Sequence, residues 1–178
     1  MKKLTLLRHA KSSWRIDENQ KICVDHDRPL NERGRIASSK LADYFNKKKF
    51  VFDFVLCSSA KRALQTANYI HESLKNTKIK FDPALYTFDY WNLMTEIRKT
   101  EMHISNLLVI GHNPAIEELS KYIANPDINS IEMKRLSVKF PTASLSSFEL
   151  TVDDWAQLSK NCGDLTKFTT PKDINTSG

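Results

Sequence analysis

Three short apolar runs, each followed closely by a basic side chain, constrain the fold of this chain more than any other feature. The runs are KLTLLRHA at residues 3–10, FVLC at residues 54–57 and NLLVIGHNP at residues 106–114. A strand buried on both faces of a parallel sheet reads as a near-continuous apolar run, and ligands bind beyond the carboxyl ends of such strands. Four basic side chains are therefore predicted at one edge of one sheet: Arg8, His9, Arg62 and His112.

The rest of the chain continues this alternation of strand and helix. Its 178 residues, 40% of them hydrophobic, are enough to bury a sizeable core. Helical spacing of apolar residues predicts helices near residues 31–48, 60–74, 90–102 and 114–124, and a further short strand at 78–81. The candidate caps are Ser58 or Ser59 for the second helix, Asp89 for the third and Asn113 for the fourth. This order of strands and helices is typical of a doubly wound α/β sheet.

The C-terminal part of the sequence is less regular. Residues 125–141 predict an irregular crossover, and residues 144–152 with 155–160 predict a hairpin that turns at the two aspartates between them. The polar residues 161–178 predict a loosely held tail. We therefore expect a single domain over residues 1–160, with a mostly parallel central sheet and an antiparallel edge.

Composition narrows the range of partners. The net charge of +6 suits an anionic ligand, but the basic residues are spread along the chain, so no nucleic-acid partner is expected. Four glycines are too few for a nucleotide-binding loop or a Gly-x-Ser-x-Gly elbow. Three cysteines, an odd number without zinc spacing, favour a reducing compartment and a protein without metal. No signal peptide or membrane-spanning stretch is evident, so we expect a cytoplasmic protein without a membrane partner.

The positions of the basic residues favour a phosphate ligand. Lys61 and Arg62 lie in the first turn of a predicted helix, where cations are unfavourable unless an anion lies between them. A guanidinium donates two parallel hydrogen bonds to phosphate oxygens, so Arg8 and Arg62 are predicted to clamp one phosphoryl group. His9 is then the candidate nucleophile, and His112 the candidate stabiliser of the charge in transfer.

Other polar or reactive residues have simpler interpretations. The cluster at residues 25–27 is predicted to be a solvated loop, and Cys57 a small buried side chain. His71 and His103 lie in or beside predicted helices without a partner motif, and surface positions are expected for both.

Two rival phosphatase chemistries fit the spacing poorly. A cysteine-dependent phosphatase needs five residues between its cysteine and arginine, and only four separate Cys57 from Arg62. An aspartate-nucleophile phosphatase would use Asp25 and Asp27, but Pro29 stands where its threonine belongs. That class would also require magnesium.

Four motifs resemble, in order and spacing, those of the histidine phosphatase superfamily, also called phosphoglycerate-mutase-like. They lie at residues 7–10, at residues 27–30 with Gly34 following, at residues 58–67 and at residues 109–114. Within the superfamily the chain is most similar to the small SixA-type phosphohistidine phosphatases. The resemblance implies a three-layer α/β/α sandwich and a mechanism without cofactors.

The same resemblance implies roles for individual residues. His9 would carry a phosphohistidine intermediate, Arg8, Arg62 and His112 would form the phosphate pocket, and Arg28 would contribute to substrate binding. One departure is visible, because the usual Arg-His-Gly is Arg-His-Ala here. Alanine tolerates positive φ poorly, so the backbone at Ala10 is expected to avoid that region.

The substrate is less constrained than the superfamily. Members that act on alkyl phosphates carry a carboxyl group that protonates the leaving oxygen, and Asp89 and Glu96 are the candidates here. Imidazole leaves more easily than alkoxide, and a short chain has little room for a large lid. These points favour phosphohistidine on a protein carrier. A small phosphate ester, a mutase reaction and a phosphate-binding protein without turnover remain as alternatives, and residues 11–28 are either a lid or a docking surface.

Overall fold

A computed structural model describes residues 1–14, 24–74, 77–126 and 131–176. Residues 15–23 of the predicted lid or docking surface at 11–28 lie outside these ranges. The strands are Lys2–Arg8 (β1), Phe54–Ser58 (β2), Lys78–Asp82 (β3), Asn106–Gly111 (β4), Leu145–Leu150 (β5) and Gly163–Thr169 (β6). The helices are Glu32–Lys48 (α1), Lys61–Ile70 (α2), Tyr90–Arg98 (α3), Ala115–Ile123 (α4), Ile131–Val138 (α5) and Pro171–Thr176 (α6). No helix of these described ranges is long and apolar enough to cross a membrane.

The strands form one sheet in the order β3-β2-β4-β1-β5-β6. Strands β1 to β4 are mutually parallel, and β5 runs antiparallel to both β1 and β6. The predicted fold class, a mostly parallel sheet with an antiparallel edge, is thereby confirmed. Because β4 lies between β1 and β2, the carboxyl ends of three strands that are distant in sequence become neighbours, which is the usual place for a ligand in such sheets.

Helices cover both faces of the sheet and make the three layers. Helices α1, α2 and α6 share one apolar cluster with Leu7 of β1, whereas α3, α4 and α5 share another with Leu4 and Leu6. All three leucines are fully buried. Full burial of a leucine side chain stabilises the fold by about 1.5–3 kcal/mol, which explains why β1 is apolar on both faces.

The C-terminal part differs from the prediction. The expected irregular crossover contains α5 in its described part, and β5 pairs with β6 rather than with residues 155–160. Trp155 is instead fully buried in a short helical turn, where its indole donates to the carbonyl oxygen of Ile104 at 2.8 Å. The prediction of a loosely held tail is also wrong, because β6 completes the sheet and α6 packs on it. An edge strand with one exposed face carries many polar residues, and these concealed β6 in the sequence.

The start of α2 also differs from the expected one. Neither serine before the helix caps it, because the residue at the N-cap is Ala60. Ser58 accepts a hydrogen bond from the backbone N–H of Ala60 at 3.3 Å, and its hydroxyl also lies 2.8 Å from Nε2 of His112. The serine predicted as a cap therefore belongs to the site.

Helix α4 likewise begins without the predicted asparagine cap. Its N-cap position is Pro114, after a cis peptide bond from Asn113. The amide of Asn113 donates instead to Glu117 at 2.8 Å and to the carbonyl oxygen of Phe140 at 3.3 Å. The side chain thus ties the end of β4 to the segment before β5.

The segment that follows β1 is held tightly against α1. A Cβ atom at Gly34 would lie 2.0 Å from the carbonyl oxygen of Lys11, so glycine is required for this approach. The same carbonyl accepts from the backbone N–H of Asn31 at 3.0 Å. The N–H of Ser13 donates to Pro29 at 2.8 Å. These contacts hold the segment after β1 against the start of α1.

Candidate active site

The carboxyl ends of β1, β4 and β2 bring the four predicted side chains together. Arg8 lies opposite Gly111 in the β1–β4 register, and the backbone N–H of His9 donates to the Gly111 carbonyl at 3.1 Å. The rings of His9 and His112 are consequently neighbours, with centroids 5.0 Å apart. Arg62 reaches the same point from the first turn of α2, and its Nε lies 3.1 Å from Nε2 of His9.

The surroundings of His9 keep its ring uncharged. Its Nδ1 lies 2.7 Å from the carbonyl oxygen of Ala10. Since a carbonyl can only accept, Nδ1 carries the proton and Nε2 keeps its lone pair. Burial, reinforced by the charges of Arg62, Arg8 and Arg28, lowers the pKa of His9 to about 3 despite the hydrogen bond to Ala10. At neutral pH, Nε2 is therefore free of a proton and can attack a phosphorus atom.

Ala10 fits its position without backbone strain. Among the described residues other than glycine, positive φ occurs at Lys49, Ala143 and Asn161. The expectation that Ala10 avoids this region is confirmed. Ala10 is fully buried, and its N–H donates to the hydroxyl of Thr66 at 3.0 Å, so alanine anchors the turn after His9.

His112 completes the opposite wall of the site. Its Nε2 lies 2.8 Å from the Ser58 hydroxyl, whereas Nδ1 has no hydrogen-bond partner among the described residues. Burial is the main reason that the pKa of His112 lies well below its usual range, and electrostatic interactions with His9 and Arg62 lower it further. A phosphoryl dianion opposes this shift, because negative charge favours the protonated ring. Nδ1 can then donate to a phosphoryl oxygen.

Arg8 presents a second unpartnered donor. Its Nη1 donates to the carbonyl oxygen of Phe140 at 2.7 Å, which fixes the guanidinium, while its buried Nε has no partner within the described ranges. A buried donor without an acceptor costs about 1–3 kcal/mol. Phosphoryl oxygens at this place would satisfy both Arg8 and His112.

The prediction of a solvated loop at residues 25–27 is wrong for Asp25, which belongs to the site. Its carboxylate accepts hydrogen bonds from Arg62 at 2.9 Å, Arg28 at 2.9 Å and the hydroxyl of Tyr86 at 2.6 Å. Burial raises the pKa of Asp25, but the hydrogen bonds from Tyr86, Arg28 and Arg62 outweigh it and hold the pKa far below its usual range. The neighbouring His26 lies with Nε2 2.9 Å from the Ser59 hydroxyl, and its ring centroid is 5.0 Å from that of Tyr86.

Arg28 joins the site through this aspartate and not by contact with His9. Its Nη1 binds Asp25, its Nε donates to the carbonyl oxygen of Ser13 at 3.3 Å, and its guanidinium lies 3.8 Å from the ring centroid of Trp14. The predicted binding residue is thus placed at the rim. Lys61 is exposed at the start of α2, and Arg62 alone of that pair turns inward.

The two carboxyl groups considered as general acids have other partners. Asp89 caps α3, since its carboxylate accepts from the N–H groups of Trp91 and Asn92. Glu96 pairs with Lys99 at 2.7 Å and lines a separate cleft beside Phe54. Neither is held against His9 or His112 by a described contact.

The remaining reactive residues are placed as predicted. Cys57 is fully buried, and burial raises the pKa of its thiol, so it is no nucleophile at neutral pH. His71 and His103 are exposed. Sequence reasoning missed Asp25 and Tyr86. Asp25 carried a usable signal, because an acid three residues before Arg28 can pair with it, whereas Tyr86 carried none.

A neutral buried histidine beside arginines, at the carboxyl edge of a parallel sheet, is an arrangement suited to a protein that binds and transfers phosphoryl groups. The model of the histidine phosphatase superfamily, branch 1, matches residues 4–103 of this chain. The chain therefore belongs to this superfamily, and this membership supports a phosphatase. An uncharacterized protein of Mycobacterium tuberculosis is 29% identical over 167 residues, which cover 93% of this chain and 100% of that protein.

Solved structures agree on the fold. A SixA protein from Nakamurella multipartitia superposes with a TM-score of 0.80 at 24% identity, over 96% of each chain. The protein histidine phosphatase SixA in complex with tungstate gives a TM-score of 0.74 at 20% identity, over 97% of this chain and 99% of that one. The phosphoglycerate-mutase-like architecture of the present chain is thereby established.

Proposed function

We propose that this protein hydrolyses phosphohistidine carried on another protein, through a covalent phosphohistidine intermediate on His9. Nε2 of His9 attacks the substrate phosphorus, the substrate P–N bond breaks, and its electron pair stays on the departing imidazole nitrogen. Water then attacks the phosphorus on His9. The His9 P–N bond breaks, inorganic phosphate leaves, and one proton of the water passes to solvent.

One observation carries the choice of substrate: the described part of the site holds a nucleophile and cations, but no carboxylic acid ready to protonate a leaving group. Asp89 is engaged as a helix cap, and Glu96 is paired with Lys99 in another cleft. Glu117, whose charge acts on Arg8, accepts from Asn113 and is paired with Lys121. Asp25 is at the site, but hydrogen bonds from Tyr86, Arg28 and Arg62 lower its pKa and hold it in its ionised form. An alkoxide leaving group needs such an acid, whereas imidazole departs as a neutral ring when its other nitrogen is protonated.

The rim of the site supports a protein-borne phosphoryl group. Phe88 packs 5.7 Å from the His112 ring and is 46% exposed, and Trp14 stacks on Arg28 while remaining 53% exposed. Exposed aromatic side chains beside a reactive centre suit contact with a folded partner. The net charge of +6 suits an acidic one. We also propose a cytoplasmic location, consistent with free thiols at Cys57 and Cys162.

The test compares kcat/KM for a phosphohistidine protein, free phosphohistidine and a set of small phosphate esters. In wild type, the phosphoprotein should be processed at least as well as the free amino acid, because docking positions the group. Asp89→Asn and Glu96→Gln should each change phosphohistidine turnover by less than about tenfold, or 1.4 kcal/mol. Asparagine caps helices as well as aspartate, so the first variant removes an acid and keeps α3.

His9→Asn is the matched inactive control, and it should abolish turnover of every substrate. Hydrolysis of esters without hydrolysis of phosphohistidine, together with collapse in one carboxyl variant, would place the protein in the ester-hydrolysing or mutase branch. General acid catalysis contributes about a hundredfold to ten-thousandfold, so the two outcomes are well separated. Binding of inorganic phosphate without any turnover would instead indicate a binding protein.

A further inference from the structure

We propose that Asp25 is a positioning residue of this site: its carboxylate orients the Arg62 and Arg28 guanidinium groups and offsets part of their charge. The substrate named in its test rests on the proposed function, whereas the role of Asp25 in phosphate binding does not. A carboxylate inside a phosphate site repels the substrate. Its presence there therefore calls for a compensating role.

The contacts of Asp25 account for most of the hydrogen bonds of Arg62. Nη1 of Arg62 donates to the Asp25 backbone carbonyl at 2.6 Å, and Nη2 donates to the carboxylate at 2.9 Å. Nε of the same guanidinium is directed at His9. Asp25 thus sets the plane of the group that touches the nucleophile, and Arg62, whose side chain is 3% exposed, has little room to turn otherwise.

The other carboxylate oxygen of Asp25 orients Arg28 at the rim of the site. Oδ1 of Asp25 accepts from Arg28, while Oδ2 also accepts from the hydroxyl of Tyr86, whose ring packs 5.4 Å from that of His112. One carboxylate therefore links two cationic groups and the wall behind His112. Directional donors held before the reaction are the arrangement that stabilises a transferring phosphoryl group.

The charge balance leads to the same role. Asp25 offsets part of the charge of the guanidinium groups of Arg62 and Arg28, and Glu117 acts in the same way on Arg8. Three guanidinium groups against two carboxylates still leave a positive site for a phosphoryl dianion. Without the Asp25 carboxylate, the site would hold inorganic phosphate more tightly but with arginines that are no longer aligned for transfer.

The test uses Asp25→Asn in the full chain. The amide keeps the shape of the carboxylate, but its N–H groups would face arginine donors, so the alignment is lost. We expect kcat for the phosphohistidine protein to fall at least tenfold. We also expect the dissociation constant of inorganic phosphate, measured by titration calorimetry, to fall at least threefold. Simple loosening of the site would weaken phosphate binding, so the direction of this change separates positioning from a structural defect.

Asp27→Asn is the matched control, because Asp27 is in the same loop and pairs only weakly with His26 at 3.2 Å, with its side chain 61% exposed. It should leave kcat and phosphate binding within twofold of wild type. Tyr86→Phe removes one of the hydrogen bonds to Asp25, so it should lower kcat less than Asp25→Asn does. In the double variant it should add nothing further.

Several results would overturn the proposal. They are an unchanged kcat in Asp25→Asn, weaker phosphate binding in that variant, or Tyr86→Phe and Asp25→Asn effects that multiply. If wild type hydrolyses no phosphohistidine, the proposed function fails, while the calorimetric comparison of the Asp25 and Asp27 variants still decides the role of Asp25.

Discussion

Mild acid should destabilise this protein through His9 and His112. Both rings are buried, at 7% and 1% exposure, and burial is the main reason that the pKa of each is lowered, for His9 to about 3. In the unfolded chain, a histidine titrates near pH 6.5. As the pH falls through this value, the unfolded state binds protons that the folded state does not, so stability is lost on the acid side.

The size of this stability loss is set by the histidine pKa in the unfolded chain when the pKa in the folded state lies well below the lower pH of the comparison. Between pH 7.5 and pH 5.0, each histidine then costs about 2 kcal/mol, since the penalty is RT ln(1 + 10^(6.5 − pH)). The two rings together cost about 4 kcal/mol, a large share of the stability of an ordinary domain. A bound phosphate should reduce this loss, because its charge favours the protonated rings.

Urea denaturation at the two pH values measures the effect, with a constant m-value as the condition for comparing free energies of unfolding. His9→Asn retains a donor for the Ala10 carbonyl, and His112→Gln retains a partner for Ser58. Each variant should lose about 2 kcal/mol less than wild type between pH 7.5 and pH 5.0. His103→Gln, at a side chain that is 71% exposed, serves as control and should follow wild type. Equal pH dependence in His9→Asn and wild type would refute the assignment of a neutral buried nucleophile.

Three further experiments test the role of Arg62, the packing at Gly34 and the independence of turnover from metal and thiols. Arg62→Lys should lower kcat/KM at least a thousandfold, because an ammonium cannot serve His9 and Asp25 as a planar guanidinium does, and a loss below tenfold would contradict this. Gly34→Ala should lower the free energy of unfolding by about 3 kcal/mol in a urea titration, since its Cβ meets the backbone of Lys11, and an unchanged midpoint would show that the loop yields. Turnover should survive EDTA and thiol alkylation, given a histidine nucleophile and a buried Cys57. Activity that EDTA removes and magnesium restores would instead support an aspartate nucleophile.

The sequence was most informative where burial leaves little choice of residue. Strands β1 and β4 are apolar on both faces because both lie in the middle of the sheet, and their ends placed His9 and His112 correctly. The α3 cap at Asp89 was also predicted, since it depends only on local hydrogen bonds. Local chemistry and buried strands were thus within reach of the sequence alone.

What the sequence did not reveal depends on contacts between distant residues. Asp25 reaches Arg62 across 37 positions and Tyr86 across 61, so its loop indicates the local pair with Arg28 at most and neither of these two contacts. Ser58 looks like a helix cap in the sequence because it precedes α2, whereas its partner His112 comes from another strand. Strand β6 escaped because an edge strand needs only one apolar face, and its pairing with β5 is visible only in the folded sheet.

The hydrogen bond from Nε of Arg62 to Nε2 of His9 has a consequence for selectivity among electrophiles. In this structure the lone pair of Nε2 accepts from this N–H group, so on the proposed function an uncharged electrophile would meet a nitrogen that is already hydrogen-bonded. An anion competes for the same N–H, draws it away from the ring and thereby exposes the lone pair. On the proposed function, Arg62 would therefore favour attack by His9 on molecules that carry a phosphate-like anion over attack on uncharged ones.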